Sequence, residues 1–324
     1  MGKHTRILYF LFLCLCLKFC SSSSFPSFST NASLQLSSHY DRLALIEFKS
    51  NFSLDINASY HCPTSYPKTN SWTKGRDCCS WDGVTCDIVT GRVIGLDLSC
   101  SLLHGSLYSN SSLFRLSHLQ KLNLAGEVPY EISHLTNLIS LDISSYQLTM
   151  EDLSFKRLVQ NCSLLKQLLF VGVDLSSIDT NSLMNLSSSL TDLRLQRCGL
   201  QGKFPTSILY FPHLHILDLS YNKGLKIRLP KSNWSSPLQE LHLDDVPFTG
   251  DQLPESIGDL NSSKKLTIGY CNIVGSIPAS IGKISYARFI FEFAQWSHTI
   301  SFIQLTFFIA FFGSLRESIH WSYQ

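Results

Sequence analysis

Apolar residues along this chain recur in a fixed frame. The stretches "LTDLRLQRCGLQGKFP" (Leu190 to Pro205), "LHILDLSYNKGLKIRLP" (Leu214 to Pro230), "LQELHLDDVPFTGDQLP" (Leu238 to Pro254) and "SKKLTIGYCNIVGSIP" (Ser263 to Pro278) share it. Each reads LxxLxLxx, then a polar or small residue, one free position, an apolar residue, and usually a later Pro. The frame also opens at Val93, Leu119, Leu138 and Leu165, so eight starts follow one another at spacings of 26, 19, 27, 25, 24, 24 and 25. Within LxLxx the alternation of apolar and polar positions predicts a short strand with its leucines on one side, such as Leu193 with Leu195 and Leu217 with Leu219.

A single unit of this size cannot bury its own leucines, whereas stacked neighbours can. The period lies in the range of about 20–29 residues expected of leucine-rich repeats. The predicted fold is therefore an α/β repeat solenoid, a leucine-rich-repeat horseshoe with a parallel sheet along its concave side. The ninth position of the frame normally holds an Asn that satisfies backbone groups where the chain leaves the strand. Asn222 occupies it here, Cys198 and Cys271 stand in the same slot as buried ladder residues, and Ser101, Tyr146, Val173 and Val246 predict a looser ladder. In "LQKLNLAGEVPYEISHL" (Leu119 to Leu135) the strand runs almost directly into Val128-Pro129. Either this is a short repeat, or the front of one unit is joined to the back of another, and both readings predict local strain near Ala125–Glu127.

Both ends depart from the frame. Residues 1–24 have the three parts of a secretory signal: the basic Lys3, His4 and Arg6, the apolar run Ile7 to Leu17, and the small residues Cys20 to Ser24. Residues 25–91 form an amino-terminal cap with a helix over 41–52, where Leu45, Phe48 and Phe52 fall at helical spacing. About eight repeats occupy 92–284. Residues 285–324 are an atypical hydrophobic tail with a candidate membrane segment at 293–315, free of Asp, Glu, Lys and Arg but interrupted by Gln295, His298 and Gln304. The tail reads as a membrane helix, as an unrelated sequence following a truncation, or as an unusual cap.

Charge narrows the partners. Removing the first segment takes three of the 26 basic residues and leaves 23 against 24 acidic ones, which offers no overall field for nucleic acid. Three of the 11 cysteines leave with it, and five of the remaining eight (Cys62, Cys78, Cys79, Cys86 and Cys100) crowd together, as local disulfides of an exported chain do. Eight Asn-x-Ser sequons, at Asn31, Asn51, Asn57, Asn110, Asn161, Asn185, Asn233 and Asn261, fit a secreted glycoprotein. Phosphate loops, HExxH, GxSxG and kinase signatures are absent from the sequence, so no enzymatic role and no cofactor is expected.

The helix "DRLALIEFKSNF" (Asp41 to Phe52) and the following "SWTKGRDCCSWDGVTCDIVTGRVIGLDLS" (Ser71 to Ser99) resemble the amino-terminal cap of plant extracellular leucine-rich-repeat proteins. The resemblance extends from Asp41 to about Lys283, includes the GxIP ending at Gly275 to Pro278, and is greatest to plant receptor-like proteins of the disease-resistance class. It implies that Cys79 pairs with Cys86 and that Cys78 pairs with a more amino-terminal cysteine. Leu36 to Tyr40 lacks the cysteine usual there, so Cys62 becomes its partner by that reading, with Cys100 and Cys162 unassigned. It further implies a disulfide-bonded cap and a cell-surface receptor-like protein that binds a peptide or protein ligand and signals, in defence or development, through a partner kinase. Alternatives are a secreted inhibitor or decoy of a foreign enzyme, and an inactive truncated product. The expected location is the secretory pathway, ending at the extracellular face of the plasma membrane or in the apoplast; membrane association depends on the tail.

Ligand contact is expected at the exposed positions of the strands. The middle position gives Asp142, Leu169, Arg194, Asp218, His242 and Thr267, and the last gives Arg197, Tyr221, Asp245 and Tyr270. Tyr and Arg are enriched at interface hot spots. The expected ligand surface is Arg194, Arg197, Tyr221, His242, Asp245 and Tyr270.

Overall fold

The computed structural model describes residues 38–290, save 60–61, 106, 125–129, 145–147, 251, 261, 274–277 and 285–286. The secretory segment, the candidate membrane segment and the expected strain at Ala125–Glu127 lie outside the described residues. Within them, α1 spans His39–Lys49, β1 Ser53–Leu54, β2 Val84–Cys86, β3 Val93–Asp97, β4 Leu103–His104, β5 Lys121–Leu124 and β6 Ser140–Ser144. Next come α2 (Asp152–Asn161), β7 (Gln167–Val171), β8 (Asp192–Arg194), β9 (Gln201–Lys203), β10 (Ile216–Asp218), β11 (Gly224–Lys226), β12 (Glu240–His242), β13 (Lys265–Gly269) and β14 (Ala287–Ile290).

Ten strands form one sheet in the order β14-β13-β12-β10-β8-β7-β6-β5-β3-β2. All pairs are parallel except β2 with β3, where the cap turns back on the first repeat. The frame explains the register. Leu96, Leu122, Leu141, Leu168, Leu193, Leu217, Leu241 and Leu266 pair in sequence across eight strands, and all are buried. A slip of one residue would turn every one of these leucines to solvent, so the pattern fixes the pairing. The frame-opening residues Val93, Leu119, Leu138, Leu165, Leu190, Leu214 and Leu238 are equally buried, and Ser263 takes that place in the eighth repeat. Opposite the sheet the chain makes short 3₁₀ turns, for example Thr180–Asn185, Thr206–Tyr210 and Glu255–Asp259. The 27-residue unit that opens at Leu138 holds α2 instead, which buries Phe155, Leu158 and Val159.

The sheet continues past residue 284, where a boundary was expected. Thr267 pairs with Arg288 and Ile268 with Phe289, so β14 adds a ninth parallel strand to the repeats. In sequence Ile284, Ala287 and Phe289 keep the one, four, six spacing of the frame with Ile, Ala and Phe in place of leucine.

The first repeat would expose its leucines without the cap. α1 lays Ala44, Leu45 and Phe48 on it, ending three residues before Phe52, whose ring lies 4.9 Å from that of Phe48. Trp72 and Trp81 stack with centroids 5.5 Å apart, and Trp72 Nε1 donates to the Asp82 carbonyl at 3.0 Å. Asp41, buried in α1, accepts from the Val93 backbone N–H at 2.9 Å and so fixes the start of β3. Gly83 has φ +79°, and a Cβ there would stand 2.2 Å from the Asp97 carbonyl oxygen, so only glycine fits this crossing.

Cys79 and Cys86 form a disulfide across the turn that carries Trp81. The expected Cys62–Cys78 pair is not formed: Cys62 is bonded to Cys100, with Cα atoms 5.8 Å apart. The reason is local. Asp55 N–H donates to the Leu102 carbonyl (2.8 Å), Tyr66 N–H to the Cys100 carbonyl (3.1 Å), and β1 pairs with β4, which together lay residues 53–55 and Tyr66 along the exit of the first repeat. Cys78 is instead fully buried in the core beneath the cap. The bond thus staples the cap to the first repeat.

The ninth-position ladder separates two chemistries. Asn222 Nδ2 donates to the carbonyls of Leu195 (2.8 Å) and Leu219 (2.7 Å), while its Oδ1 accepts from Cys198 and Leu200 N–H, both at 3.1 Å. Cys198 and Cys271 offer one weak S–H donor each: their thiols reach the Phe170 carbonyl (3.1 Å) and the Leu243 carbonyl (2.9 Å). Burial pushes the Cys162, Cys198 and Cys271 thiols up to about 12, which keeps them protonated. Asn222→Ala orphans buried backbone groups in two adjacent repeats and is expected to cost roughly 3 kcal/mol, whereas Cys198→Val removes one weak donor and is expected to cost under about 1 kcal/mol. Urea denaturation of the full chain, comparing midpoints of the two variants, checks the difference.

Candidate functional site

The solvent side of the sheet presents the frame's polar positions as rows. The middle row runs Asp97, Asn123, Asp142, Leu169, Arg194, Asp218, His242, Thr267 and Arg288, each paired in register with the next. A parallel row two residues earlier runs Lys121, Ser140, Gln167, Asp192, Ile216, Glu240 and Lys265. Because side chains two apart share a face, the two rows interlock.

Their side chains are already committed to one another. Arg194 reaches Asp192 on its own strand, Nε to Oδ1 at 3.0 Å and Nη2 to Oδ2 at 3.4 Å, and does not bridge to Asp218. The Asp192 bond raises the Arg194 pKa further, against the opposing effect of burial. His242 Nε2 lies 3.2 Å from Glu240 Oε2 and Nδ1 lies 3.1 Å from Thr267 Oγ1; Thr267 is itself buried. The His242 contact holds the Glu240 carboxyl below its usual range. Of the expected ligand residues, Arg194 and His242 are therefore internally paired.

The last row behaves differently. Arg197, Tyr221, Asp245 and Tyr270 occupy the turn leaving β8, β10, β12 and β13, and the N–H groups of the first three continue the ladder, Arg197 to the Ser220 carbonyl at 2.9 Å, Tyr221 to the Asp244 carbonyl at 2.6 Å and Asp245 to the Gly269 carbonyl at 2.6 Å. Arg197 Cζ lies 4.6 Å from the centre of the Tyr221 ring, and Asp245 forms an ion pair with Lys223 at 3.5 Å. Tyr221 and Tyr270 are 40% and 42% exposed. All four have positive φ, between 55° and 62°, a conformation that costs a side chain about 1–2 kcal/mol and suits Asn or Gly. Arg197, Tyr221 and Tyr270 thus hold a conformation that Gly, Asn or Asp would adopt at lower cost.

Sequence reasoning found these rows but missed the within-strand partners Asp192 and Glu240. The signal was present, since alternate residues of a strand share a face, but attention to neighbouring repeats hid it. The positive φ leaves no trace in Arg or Tyr. Among the described sequons Asn51, Asn57, Asn110, Asn161, Asn185 and Asn233 are exposed and none lies in a strand of the sheet; Asn31 and Asn261 lie outside the described residues.

Residues 38–87 match the leucine rich repeat N-terminal domain. Receptor-like protein 9DC1 of Solanum pimpinellifolium is 36% identical across 83% of this chain and 34% of its own length. Receptor-like protein 6 of Arabidopsis thaliana is 39% identical across 76% of this chain and 29% of its own. The chain belongs to the leucine-rich-repeat proteins and is a relative of the plant receptor-like proteins. It spans about a third of the length of these relatives. Among solved structures, the ectodomain of the Arabidopsis receptor kinase HAESA bound to an IDA peptide hormone is 24% identical, with a TM-score of 0.44, over 77% of this chain and 36% of that one.

One titration follows from the rows. Burial raises the Asp142 carboxyl, and the nearby Asp97 and Asp192 raise it further, against the Ser144 hydroxyl and Arg194. A raised folded-state pKa means that folding favours the protonated form, so stability from this group falls as pH rises from the ordinary value of 3.8 through the folded one. Asp142→Asn is expected to raise Tm at pH 7 by roughly 1–3 °C and to leave it unchanged near pH 3, measured by thermal melts at the two pH values.

Proposed function

We propose that this protein is an extracellular recognition module of the receptor-like kind, binding a peptide or protein along the turn row Arg197–Tyr221–Asp245–Tyr270. The observation that carries this reading is the exposure of two tyrosines and a stacked arginine at three of four successive positive-φ positions, where the backbone alone favours Gly, Asn or Asp. Such a row offers large, rigid contact area from consecutive repeats, and aromatic and Arg side chains dominate binding energies when they become desolvated.

The relatives are named receptor-like proteins, which supports a surface role in defence or developmental signalling. A non-enzymatic role is part of this reading: Asp192, Glu240 and His242 on the sheet face are engaged structurally, and among the described residues the cysteines outside the two disulfides are buried. Signal output then requires a partner kinase, and the secretory-type start of the sequence supports an extracellular location. Among the described residues, no helix is long and apolar enough to cross a membrane.

The test uses substitutions that the fold accepts. Peptides are selected from a phage-displayed random library on the purified full chain, and binding is remeasured on Tyr221→Asn/Tyr270→Asn. Asn suits positive φ and the loss of the Arg197 stacking is small, so stability is expected to stay within about 1 kcal/mol. Binding is expected to fall at least about tenfold. Peptides that bind the variant as tightly as the parent would contradict the proposal.

A further inference from the structure

A second surface lies beyond the turn row. After leaving the main sheet, two consecutive repeats form the small parallel sheet of β9 and β11, with Gln201 opposite Gly224 and Lys203 opposite Lys226. Along β11 and the two residues that follow it, the buried Leu225 and Ile227 alternate with exposed Lys226 and Arg228, so both cations point outward from the same side. Lys203 is exposed beside them.

Three cations therefore share one small face, two of them directly opposite one another. Adjacent strands are about 4.8 Å apart, and like charges placed so oppose pairing. Their side chains make no hydrogen bond or ion pair among the described residues. The flanking carboxylate is engaged by its own backbone. On the preceding repeat Asp179 caps Asn181 N–H at 2.9 Å, and on the following one Pro247, Phe248 and Thr249 lie alongside Ile227 and carry no charge. Lys223 of the same repeat is turned to Asp245. Among the described residues the cluster is thus a positive strip without an ion-pair partner, on a chain whose overall charge is near neutral.

We propose that this lateral face, centred on Lys203, Lys226 and Arg228, binds a carboxylated polysaccharide. The surface disfavours strand addition by a peptide: β11 pairs with β9, Ile227 just beyond it donates to the Pro247 carbonyl (3.0 Å) and accepts from Thr249 N–H (2.8 Å), and at the outer edge of β9 the Lys203 carbonyl accepts from Thr180 Oγ1 (2.9 Å). Its exposed side chains, Gln201, Lys203, Lys226 and Arg228, are polar and extended, and supply no apolar anchor of the kind that fixes a folded protein partner. Closely spaced cations on a flat sheet match a polymer that carries regularly repeated carboxylates, which gains from several weak charge contacts at once. Gln201, beside the cations, offers an amide to sugar hydroxyls. The face is separate from the turn row, so the two sites are independently testable.

The experiment measures binding of the purified full chain to polygalacturonate by biolayer interferometry at 50 and 300 mM salt. A fully methyl-esterified polygalacturonate and poly-glutamate serve as comparison ligands. The parent is expected to bind polygalacturonate most tightly and to lose affinity at the higher salt. Lys203→Gln/Lys226→Gln/Arg228→Gln is expected to weaken it by about tenfold or more. The control Lys74→Gln/Lys121→Gln/Lys166→Gln makes the same charge change elsewhere and is expected to retain binding. Circular dichroism melts confirm that both triple variants are folded. Absence of binding by the parent, equal loss in the control, equal binding of the esterified polymer, or binding of poly-glutamate as tight as that of polygalacturonate would each overturn the proposal.

Discussion

Everything in this molecule depends on leucines that no single repeat can bury. Each unit contributes two or three to a shared interior, and only the neighbour on either side completes their burial. That requirement sets the parallel pairing and the register, because the core leucines must face inward in every strand. It also sets the need for a cap. α1, the Trp72–Trp81 stack and the Cys62–Cys100 bond are the means by which the first repeat obtains a neighbour that is not another repeat.

Once the interior is fixed, the outward residues are released from the task of folding, and they divide into two kinds. On the strands they pair with each other, Arg194 with Asp192 and His242 with Glu240, so the sheet face is largely self-neutralised. At the turn they stand in a conformation that disfavours them, with tyrosine rings in solvent. A surface that is costly and exposed is the better candidate for recognition than one that is satisfied. The lateral strip of Lys203, Lys226 and Arg228 has the same character in electrostatic form.

Much of the fold was legible because leucine spacing is a direct record of burial. Eight repeat starts read from sequence coincide with the residues that open the frame in space, and the middle row was read in its correct order. Elsewhere the record is indirect. Cysteine pairing depends on which segment lies beside which, and the β1–β4 contact that brings Cys62 to Cys100 comes from two-residue strands with no periodicity to read. The ninth strand was missed because Ala287 and Phe289 occupy leucine positions and the surrounding phenylalanines masked the frame. In the site, positive φ at Arg197 and Tyr221 comes from the stacking geometry of the turn and not from residue type.

The central claim is that recognition takes place on the turn row of a rigid stack. Hydrogen exchange of the full chain, with and without a library-selected peptide, tests it most directly. Protection on binding is predicted to concentrate in 194–198, 218–222, 242–246 and 267–271, with the turns at 180–185 and 206–210 unchanged. Protection confined to those opposite turns, with the four segments unaffected, would contradict the account.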